Sequence, residues 1–411
     1  MAAVRTLSRV WPADSRLDEH GRLQVGDCDV IDLAQEFGTP AYLYAEDDIR
    51  ARSREWVEAF RSRTEHSEVL FASKAFPCTA AYRIMAQEGL SCDVASGGEL
   101  HLALAGGFAP ERIYMHGNNK SPAELEYALS AGVGHIVIDN FTELEWLERN
   151  APGQKVLLRV TPGIEADTHT FIATGQVDSK FGFAMDDVPR AIAAIERLEL
   201  RGLHAHIGSQ IFDLTPFEAL GKLLGSMGEY PLLNLGGGLG IAYTAEDDPP
   251  SVDAFAEAML SNAPDGVTVL CEPGRALVGN AGVTMYRVGA VKEIPGVRTY
   301  VAVDGGMSDN LRPMLYGARY EAEIADRFGG ETICTIAGMH CESGDILVRD
   351  IPLDAPVTGD VLVIPATGAY GHAMANNYNG VPRAPVIFCS GGRARAVVRR
   401  ETYEDLTRRD A

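Results

Sequence analysis

The chain has 411 residues, of which 46% are hydrophobic, 8% aromatic and 23% charged. This composition is typical of a globular protein long enough for two domains, and it excludes a disordered chain, a collagen-like repeat and a small disulfide scaffold. The 36 basic against 57 acidic residues give a formal net charge of −21, which disfavours binding to nucleic acid and to anionic membranes. The sequence shows neither a membrane-spanning apolar run nor a signal-peptide core, so we expect a cytoplasmic protein.

From about residue 66 the sequence repeats one pattern: a short apolar run, a polar or glycine-rich turn, and an amphipathic stretch. The apolar runs lack the alternation of a half-exposed strand, as is expected for strands covered on both faces. Eight such strand candidates occur, at residues 69–73, 92–96, 113–117, 135–139, 155–160, 203–208, 232–237 and 267–273. The stretches between them predict helices, for example TAAYRIMAQEG, SPAELEYALSAG, DDVPRAIAAIERL and PFEALGKLLGSMG.

Eight strands that alternate with helices over roughly 200–250 residues are typical of an α/β protein with a (β/α)8 TIM barrel. A doubly wound open sheet would also alternate, so the pattern alone leaves that fold open. The glycine-rich stretch 236–240 (GGGLG) follows the seventh strand and not the first. That position disfavours a dinucleotide-binding fold and is typical of the phosphate site of a barrel.

The pattern changes near residue 276, where alternating runs such as VTMYRVGAVKEI, RTYVAVDGG, DVLVIPAT, PVIFCS and RARAVVRR predict antiparallel strands. We therefore predict a barrel domain over residues 38–278. A second, β-rich domain is predicted from both chain ends, residues 1–37 and 279–411. Residues 161–181 predict a long, hydroxyl-rich loop, for which a mobile lid is one interpretation.

In a barrel of this kind the functional site lies at the carboxyl ends of the strands. The residues at the predicted strand ends are mostly ionisable, polar or glycine: Lys74, Asp93, His116, Arg159, His206, Ser209, Gly236, Gly237, Gly238, Glu272 and Arg275. A purely structural barrel would carry assorted polar loop residues there and needs no such convergence. The strand ends therefore predict an active site.

Lys74 is the one lysine of six that directly ends a predicted strand. The other five lie at a strand start, within a helix, in the β-rich domain or in loops: Lys155, Lys222, Lys292, Lys120 and Lys180. A lysine held and desolvated at a strand end has a lowered pKa and attacks carbonyl groups. We therefore predict that Lys74 is a nucleophile for an aldehyde.

The combination of groups predicts a cofactor with an aldehyde, a phosphate and a basic ring nitrogen, namely pyridoxal 5′-phosphate. Backbone N–H groups of the glycine stretch and the Ser209 hydroxyl can bind its phosphate. Glu272 can pair with the ring nitrogen and keep it protonated, which makes the ring an electron sink. His206 either stacks on the ring or is a polar residue of the barrel rim, and His204 is predicted only to pack.

The motifs that carry this chemistry also resemble those of a known family. They are 71-FASKAF-76, 97-GGEL-100, 116-HGNNKS-121, 206-HIGSQI-211, 235-LGGGLG-240, 272-EPGR-275, 312-RPMLYGA-318, 341-CESGD-345, 368-GAY-370 and 377-NYN-379. With these motifs in family order, the chain resembles the diaminopimelate decarboxylases, within the fold-type III, alanine-racemase-like pyridoxal phosphate enzymes that include ornithine decarboxylase. The resemblance implies a barrel, a β-rich domain and a head-to-tail homodimer in which the partner's 341–345 segment completes each active site.

The resemblance also implies roles for individual residues. Lys74 is similar to the Schiff-base lysine, Glu272 to the partner of the pyridine nitrogen, and His206 to the residue that stacks on the ring. The implied cofactor neighbours are Asp93, Ser209, Gly237, Gly238, Gly274, Arg275 and Tyr370, and the implied substrate-binding set is Arg275, Arg312, Tyr316, Glu342 and Tyr370. One departure is Phe76, where relatives frequently have asparagine.

Relatives decarboxylate ornithine, arginine, carboxynorspermidine or diaminopimelate, so fold and cofactor leave the substrate open. The distal end of diaminopimelate is a second amino-acid centre, which needs cations for its carboxylate and an anion for its ammonium. Arg312 with Arg275 can contact that carboxylate, with Tyr316 adding a hydroxyl, and Glu342 can accept the ammonium. Arg312 can alternatively form a surface ion pair.

We therefore predict decarboxylation of meso-2,6-diaminopimelate to L-lysine and carbon dioxide, the last step of lysine biosynthesis. Two alternatives remain open at this point. One is decarboxylation of another carboxylated amine or of a carrier-bound amino acid. The other is a non-catalytic pyridoxal phosphate carrier, although small single-barrel proteins of that kind lack a β-rich domain and an equivalent of Cys341.

The seven cysteines form no CxxC pair, so the sequence predicts neither a metal site nor a disulfide framework, and each cysteine is by default a buried apolar residue. Cys341 is the exception because it lies in the polar, glycine-containing segment 340-HCESGD-345. A thiol with an ordinary pKa of about 8.5 is mostly protonated near neutrality and can donate a proton to the carbon that loses carbon dioxide. By the resemblance, Cys341 would act in the active site of the partner subunit.

Overall fold

The described part of the chain begins with a small antiparallel sheet. The computed structural model describes residues 7–164 and 179–411. Strands β1 (Arg16–Leu17), β2 (Leu23–Val25) and β3 (Cys28–Asp29) pair in that order. Asp29 caps helix α1 (Val30–Phe37), because its carboxylate accepts the first backbone N–H groups of that helix. Strand β4 (Ala41–Ala45) and helix α2 (Glu46–Arg61) follow.

Eight parallel strands close into a barrel, which confirms the predicted (β/α)8 fold and excludes the open doubly wound sheet. Each strand pairs with its neighbour and the last returns to the first. The short strand β10 (Phe183–Ala184) adds to one of them, β9. The eight barrel strands overlap the eight predicted runs and are β5 (Ser67–Ala72), β6 (Ser91–Val94), β7 (Ile113–Met115), β8 (His135–Ile138), β9 (Lys155–Thr161), β11 (Glu199–His204), β12 (Leu232–Asn234) and β13 (Thr268–Cys271).

Apolar side chains from five of these strands meet in one buried cluster. Its members are Leu70, Tyr114, Val137, Leu157 and Leu270. Burying a large apolar side chain stabilises the folded state by about 1.5–3 kcal/mol, so the burial of these five side chains favours the folded barrel. Because all eight strands run in one direction, their carboxyl ends form a single rim, where the candidate residues lie.

Helices follow most of the barrel strands, and several begin and end at the predicted signals. Ser96, Ser121, Asn140 and Ser251 each cap the helix that follows by accepting a backbone N–H. The helices of this part are α3 (Thr79–Gln87), α4 (Gly97–Gly106), α5 (Pro122–Ala131), α6 (Phe141–Asn150), α7 (Val188–Ala193), α8 (Thr215–Gly225), α9 (Val252–Leu260) and α10 (Arg275–Val278). Helix α7 is shorter than its predicted stretch, DDVPRAIAAIERL.

The chain after the barrel forms a β-rich unit. Its main sheet has the order β18-β17-β15-β14-β4-β20-β21, and β19 pairs with β14 and β16. The strands are β14 (Gly282–Ile294), β15 (Arg298–Val303), β16 (Glu323–Ile324), β17 (Thr332–Ala337), β18 (Ile346–Leu353), β19 (Val361–Ile364), β20 (Val386–Ser390) and β21 (Arg393–Val398). Three short helices accompany them: α11 (Arg312–Tyr316), α12 (Gly371–Met374) and α13 (Tyr403–Thr407).

The β-rich unit differs from its sequence prediction in strand direction. The predicted antiparallel pairing holds for β14 with β15 and for β20 with β21. However, β15 pairs in parallel with β17, and β20 pairs in parallel with β4. Alternation along one strand reports which face is buried, but it carries no information about the direction of the neighbouring strand.

The chain divides into two compact units, one being the β-rich unit and the other the barrel unit. The β-rich unit comprises residues up to Ala51 with Ile241–Asp247 and Leu277–Ala411, and the barrel unit comprises Arg52–Gly240 and Asp248–Ala276. Residues 38–51, which the sequence assigned to the barrel, belong here to the β-rich unit, because β4 pairs with β14 and β20. The apolar five-residue run of β4 could belong to a strand of either unit, because its sequence pattern is the same in both cases.

Most of the predicted loop 161–181 lies outside the described residues, since residues 165–178 are not described. The hypothesis of a lid at this loop therefore remains a prediction. In the described ranges, no helix combines the length and apolar character required to cross a membrane.

A buried carboxyl group in the β-rich unit leads to a prediction about stability. Asp309 is 1% exposed, and its Oδ2 accepts the N–H of Gly306 at 2.9 Å. Burial, with the nearby carboxylates of Asp304 and Asp345, raises the pKa of Asp309 to about 7 from 3.8. The folded state therefore keeps a proton that the unfolded chain has already lost between pH 4 and 7, so this group destabilises the fold progressively as pH rises through that window.

We expect Asp309→Asn to remove this destabilisation. At pH 8 the variant should be more stable than the parent by up to about 4 kcal/mol, and the difference should fall towards zero near pH 4. Urea unfolding midpoints of both proteins between pH 4 and 8 measure the effect, with the exposed Asp186→Asn as the control that leaves the profile unchanged. An equal offset at all pH values would show that Asp309 does not hold the proton.

Candidate active site

Lys74 lies at the rim of the barrel, directly after β5. It is the middle residue of the single 3-10 turn Ser73–Ala75, whose other two residues are buried. Lys74 itself is exposed, so the desolvation predicted for it is not found in this chain. Its charge still acts on the site, because it lowers the pKa of both Asp93 and His206. The rigid turn thus presents an amine to the rim next to an acid and an imidazole.

Glu272 follows β13 and is the buried centre of the rim. Its Oε1 accepts a hydrogen bond from Asn234 Nδ2 at 2.6 Å and lies 3.0 Å from His116 Nε2. Its Oε2 lies 3.3 Å from His204 Nε2. Asp93, on β6, extends the cluster with its Oδ1 3.9 Å from His116 Nε2. Each of these five side chains is at least nine-tenths buried.

Contacts with two histidines of this cluster keep the carboxylate of Glu272 ionised. Burial alone would raise its pKa, but His116 and His204 outweigh burial and hold the pKa well below its ordinary value. For Asp93, burial outweighs the opposing charges of His116 and Lys74 and raises its pKa to about 6. The pKa of His204 falls to about 4 through burial, so this imidazole is neutral near pH 7.

The glycine stretch after β12 forms a tight loop that side chains would obstruct. A Cβ on Gly237 would lie 2.1 Å from the carbonyl oxygen of Glu272. Gly238 has φ +131°, and a Cβ there would lie 2.5 Å from the carbonyl oxygen of Gly208. The backbone therefore passes closer to its neighbours than any other residue type would allow.

Only part of this loop has N–H groups available for an anion. The N–H of Gly236 donates to Asn234 Oδ1 at 2.9 Å, and that of Gly237 donates to His206 Nδ1 at 3.3 Å. Both are therefore engaged within the protein, unlike the prediction for the stretch as a whole. The N–H groups of Gly238 and Gly274 have no hydrogen-bond acceptor among the residues that the structure describes. These two N–H groups are therefore available to an anion.

Arg275 and Ser209 supply a charged and a hydroxyl group beside the glycine loops. Arg275 Nη2 donates to Ser209 Oγ at 2.9 Å, and Arg275 is 6% exposed. Gly274 precedes this arginine, and a Cβ on it would lie 2.9 Å from the carbonyl oxygen of Ala72, at the start of the Lys74 turn. The barrel thus offers an amine for an aldehyde, N–H and guanidinium groups for a phosphate, and a buried carboxylate for a basic ring nitrogen. This donor set fits pyridoxal phosphate.

The other lysines of the barrel are placed differently. Lys120 is buried, where its Nζ forms an ion pair with Glu143 Oε1 at 2.8 Å and donates to the carbonyl oxygens of Gly117 and Val137. Lys180 is exposed, with its Nζ 4.9 Å from the centroid of the Phe181 ring. Breaking the buried pair of Lys120 would leave Glu143 as an unpaired buried charge, which excludes Lys120 as a mobile nucleophile.

In the β-rich unit, Arg312 is buried within a group of tyrosines. It begins helix α11, is 5% exposed, and its guanidinium carbon lies 4.5 Å from the centroid of the Tyr243 ring. Its Nη1 donates to the Tyr320 hydroxyl. Burial would lower the pKa of Arg312, yet Tyr243 and Tyr320 raise it above its ordinary value. No carboxylate of the described residues forms an ion pair with it, so the alternative of a surface ion pair is wrong.

The remaining predicted substrate residues are less enclosed. Tyr316 ends α11 and is half-buried. Tyr370 is also half-buried, and its backbone has φ +67°, a left-handed conformation uncommon for a tyrosine. Glu342 is exposed in the loop between β17 and β18. All three residues belong to the β-rich unit.

Cys341 lies in that same loop, as its sequence predicted. Of the seven cysteines, all within the described ranges, six are buried and only Cys341 is exposed. Its N–H donates to Asn379 Oδ1 at 2.9 Å. Asp345 fixes the loop, since its carboxylate accepts hydrogen bonds from the N–H groups of His340 at 2.9 Å and Met307 at 2.7 Å. A thiol is thereby presented on an ordered, exposed loop.

Comparison with known proteins places this arrangement in a family. Residues 46–279 match the family model described as pyridoxal-dependent decarboxylase, pyridoxal binding domain. The chain belongs to the pyridoxal-dependent decarboxylases. Diaminopimelate decarboxylase of Bacillus subtilis strain 168 is 48% identical to this decarboxylase over 96% of the chain and 97% of the relative, and that of Bacillus methanolicus is 46% identical over 94% and 96%.

A solved structure agrees with this assignment. Diaminopimelate decarboxylase from M. jannaschii, in co-complex with L-lysine, has a TM-score of 0.90 and 33% identity, covering 97% of this decarboxylase and 98% of the M. jannaschii chain. Pyridoxal phosphate is therefore the cofactor of this decarboxylase, as the rim residues had predicted. The family assignment covers nearly the whole chain, including the β-rich unit.

Some residues of the site were missed by sequence reasoning. His204 was predicted only to pack, yet it contacts Glu272, and Asn234 was not singled out although its amide lies 2.6 Å from that carboxylate. Both are the last residues of barrel strands, which was the available signal. Tyr243 and Tyr320, which enclose Arg312, lie three and two residues beyond the motifs 235–240 and 312–318, but nothing in the sequence connects them to that arginine.

Proposed function

We propose that this chain decarboxylates meso-2,6-diaminopimelate to L-lysine and carbon dioxide, as the last step of lysine biosynthesis, in a cytoplasmic homodimer. The observation that carries the choice of substrate is the buried Arg312, which has aromatic neighbours and no ion-paired carboxylate among the described residues. A buried guanidinium without a counter-ion is costly, and a substrate carboxylate would compensate it. A relative that is 48% identical over 96% of this chain is a diaminopimelate decarboxylase, which supports the same substrate here.

The residues of the barrel would bind three groups of the cofactor: its aldehyde, its phosphate and its ring nitrogen. The Lys74 amine would bind the aldehyde carbon, and the N–H groups of Gly238 and Gly274 with Arg275 and Ser209 would bind the phosphate. When bound, pyridoxal phosphate supplies an electron sink for the electron pair that remains when carbon dioxide leaves. Glu272 would keep a proton on the ring nitrogen, because its pKa is held well below its ordinary value and the carboxylate stays ionised.

His206 would lie against the face of the ring. Burial, Lys74 and Arg159 hold the pKa of His206 well below its ordinary value, so the imidazole is neutral. Its Nδ1 accepts the N–H of Gly237 at 3.3 Å, which fixes the plane of the imidazole relative to the glycine loop. A neutral, oriented imidazole can stack on an aromatic ring without adding charge to the site.

Three side chains of the β-rich unit would bind the distal end of the substrate. Arg312 would take the distal carboxylate, with the Tyr316 hydroxyl as a further donor, and Glu342 would accept the distal ammonium. Ornithine has no distal carboxylate, so it would leave the Arg312 guanidinium buried and uncompensated. A site built to bind a charged group rejects an analogue that lacks it by a large factor.

Cys341 would return a proton to the carbon that has lost carbon dioxide. Its thiol stands on an exposed loop and not within a core, so a substrate-facing role in another subunit is sterically open. The family resemblance suggests that the partner subunit uses this thiol, which is why we propose a homodimer with shared sites. Tyr370 would complete the set as a neighbour of cofactor and substrate.

We expect Arg312→Met to weaken substrate binding with little effect on the cofactor. Methionine keeps much of the apolar volume between the tyrosines but cannot bind a carboxylate, so KM for meso-diaminopimelate should rise by about 30-fold or more. Steady-state kinetics with the visible spectrum of the bound cofactor as a folding check measure this. Arg319→Met, an exposed arginine just beyond the same helix, is the control and should leave KM unchanged. An unchanged KM in Arg312→Met would refute the role of Arg312.

Product analysis on a substrate panel tests the proposed function itself. The purified, cofactor-loaded protein is given meso-diaminopimelate, ornithine, arginine and carboxynorspermidine at equal concentration, and the amines and amino acids formed are quantified. We expect lysine from meso-diaminopimelate at a rate at least about 100-fold above any other product. Faster turnover of ornithine or arginine would favour a different decarboxylase, and no turnover of any substrate would favour the non-catalytic carrier.

A further inference from the structure

We propose that Asn234 and His204, with His116, are positioning residues that hold Glu272 in its ionised form and aim it at the ring nitrogen of the cofactor. This inference deepens the proposed function and rests on its cofactor chemistry. Sequence reasoning assigned no role of this kind to Asn234 or His204.

The geometry around Glu272 is that of a carboxylate surrounded by donors. Oε1 has the Asn234 amide at 2.6 Å and His116 Nε2 at 3.0 Å, while Oε2 has His204 Nε2 at 3.3 Å. The Asn234 amide and His204 Nε2 hydrogen-bond to this carboxylate, which can accept about four hydrogen bonds, so capacity remains for a further donor. A protonated ring nitrogen is a donor of that kind.

The amide of Asn234 is fixed in the orientation that donates to Glu272. Its Oδ1 accepts the N–H of Gly236 at 2.9 Å, so its Nδ2 must be the atom that meets the carboxylate. Asn234 is 0% exposed, at the end of β12, and Gly236 opens the glycine loop. One side chain therefore couples the position of the glycine loop to the position of the acid.

His204 acts as a neutral donor. Its Nε2 faces a carboxylate oxygen, which requires the proton to be on that nitrogen. Its ring stands at 77° to that of His116, with 4.8 Å between the ring centroids, so the two imidazoles approach Glu272 from different directions. Burial lowers the pKa of His116, but Asp93 and Glu272 outweigh it and raise the pKa above its ordinary value, which favours the protonated imidazole beside the carboxylate.

Glu272 and the ring nitrogen compete for one proton, and the donors decide the outcome. Each hydrogen bond to the ionised carboxylate lowers its proton affinity, so the proton remains on the nitrogen. The charged and titratable groups that interact electrostatically with Glu272 come from several strands of the barrel: Asp93, Tyr114, His116, Arg159, His204, His206 and Cys271. Among them Arg159 and His116 also favour the ionised carboxylate.

A metal ion is the competing occupant for this cluster. The ligand atoms of His116, His204 and Glu272 lie within 4.8 Å of one another, which is a spacing that a metal could use. However, the Asn234 amide donates to the same carboxylate and would point N–H groups, not lone pairs, towards a cation. The cluster is therefore better suited to hydrogen bonding than to coordination.

The protonation state of the ring nitrogen can be measured directly by its 15N chemical shift. We would reconstitute the protein with pyridoxal phosphate labelled with 15N in the ring and record its 15N chemical shift between pH 6 and 9, without substrate. The variants are Asn234→Leu and His204→Phe, which each remove one donor at similar volume, and His204→Gln, which restores a neutral donor. The control is His135→Phe, because His135 is a half-buried imidazole at the start of β8 that stacks on Tyr114 and does not contact Glu272.

We expect the parent, His204→Gln and His135→Phe to show a protonated nitrogen at pH 7.5. Asn234→Leu and His204→Phe should move the shift by at least half of the way to the value of a neutral pyridine. Because Asn234 and His204 lie on different strands, failure of one variant to fold leaves the other as the test. A fully protonated nitrogen in whichever of these two variants binds the cofactor, or an unprotonated one in the parent, would overturn the inference.

This outcome is separable from that of the proposed function. Lysine release by the parent protein is measured on the same preparation. Absence of lysine with a protonated ring nitrogen would refute the choice of substrate and leave the positioning role intact. Lysine release with no change of chemical shift in the variants would refute the positioning role and leave the choice of substrate intact.

Discussion

Replacing Lys74 with alanine is expected to abolish formation of the product L-lysine. It should also abolish the visible absorbance of the cofactor bound to the Lys74 side chain. Lys74 is the amine at the rim, next to Asp93 and His206, whose pKa values respond to its charge. Without it the protein can hold the cofactor only through noncovalent contacts. The rate should fall on the order of 10⁴-fold or more, as is usual when a covalent nucleophile is removed.

The measurement is a visible spectrum of the reconstituted protein together with lysine release from meso-diaminopimelate. Lys180→Ala, which removes the exposed loop lysine, is the matched control and should retain both signals. Lys120 is unsuited to replace Lys74 because it is engaged with Glu143 at 2.8 Å. A surviving Schiff-base absorbance in Lys74→Ala would show that another lysine carries the cofactor.

Replacing Cys341 with alanine should leave cofactor binding intact and slow turnover by at least about 100-fold, the lower range for the loss of an acid catalyst. The residue is exposed on the loop between β17 and β18, so its loss creates no cavity. Cys334→Ala is the control: that cysteine is buried in β17 of the same unit and should affect stability more than rate. A similar loss of rate in both variants would indicate a general structural effect.

Subunit exchange then tests whether the thiol acts across the proposed dimer. In a heterodimer of Cys341→Ala with Lys74→Ala, one of the two sites keeps both Lys74 and Cys341 if the partner supplies the thiol. Random mixing in equal amounts should restore about a quarter of the sites, since half of the dimers are mixed and each has one intact site. No recovery, with heterodimers confirmed by mass, would mean that each site is built within one chain.

The barrel was predictable because its signal is local and repeated. Each strand is a short apolar run between turn residues, and eight of them in series leave few folds possible. Lys74, Glu272 and the glycine stretch were found for the same reason, since the end of a strand is visible in the sequence. The β-rich unit was predicted less fully, because β4 could join either unit by its pattern and strand direction is set by a distant neighbour.

By itself the sequence determined which residue types stand at the strand ends, and with them the cofactor class and the exposed loop of Cys341. Only the tertiary structure decided how those groups act on one another. Asn234 and His204 meet Glu272 because three separate strands bring them to one point of the rim. Arg312 is buried by Tyr243, which lies far away along the chain. Hydrogen bonds, burial and pKa depend on distances of a few ångström between residues remote in sequence, and such distances exist only once the chain has folded.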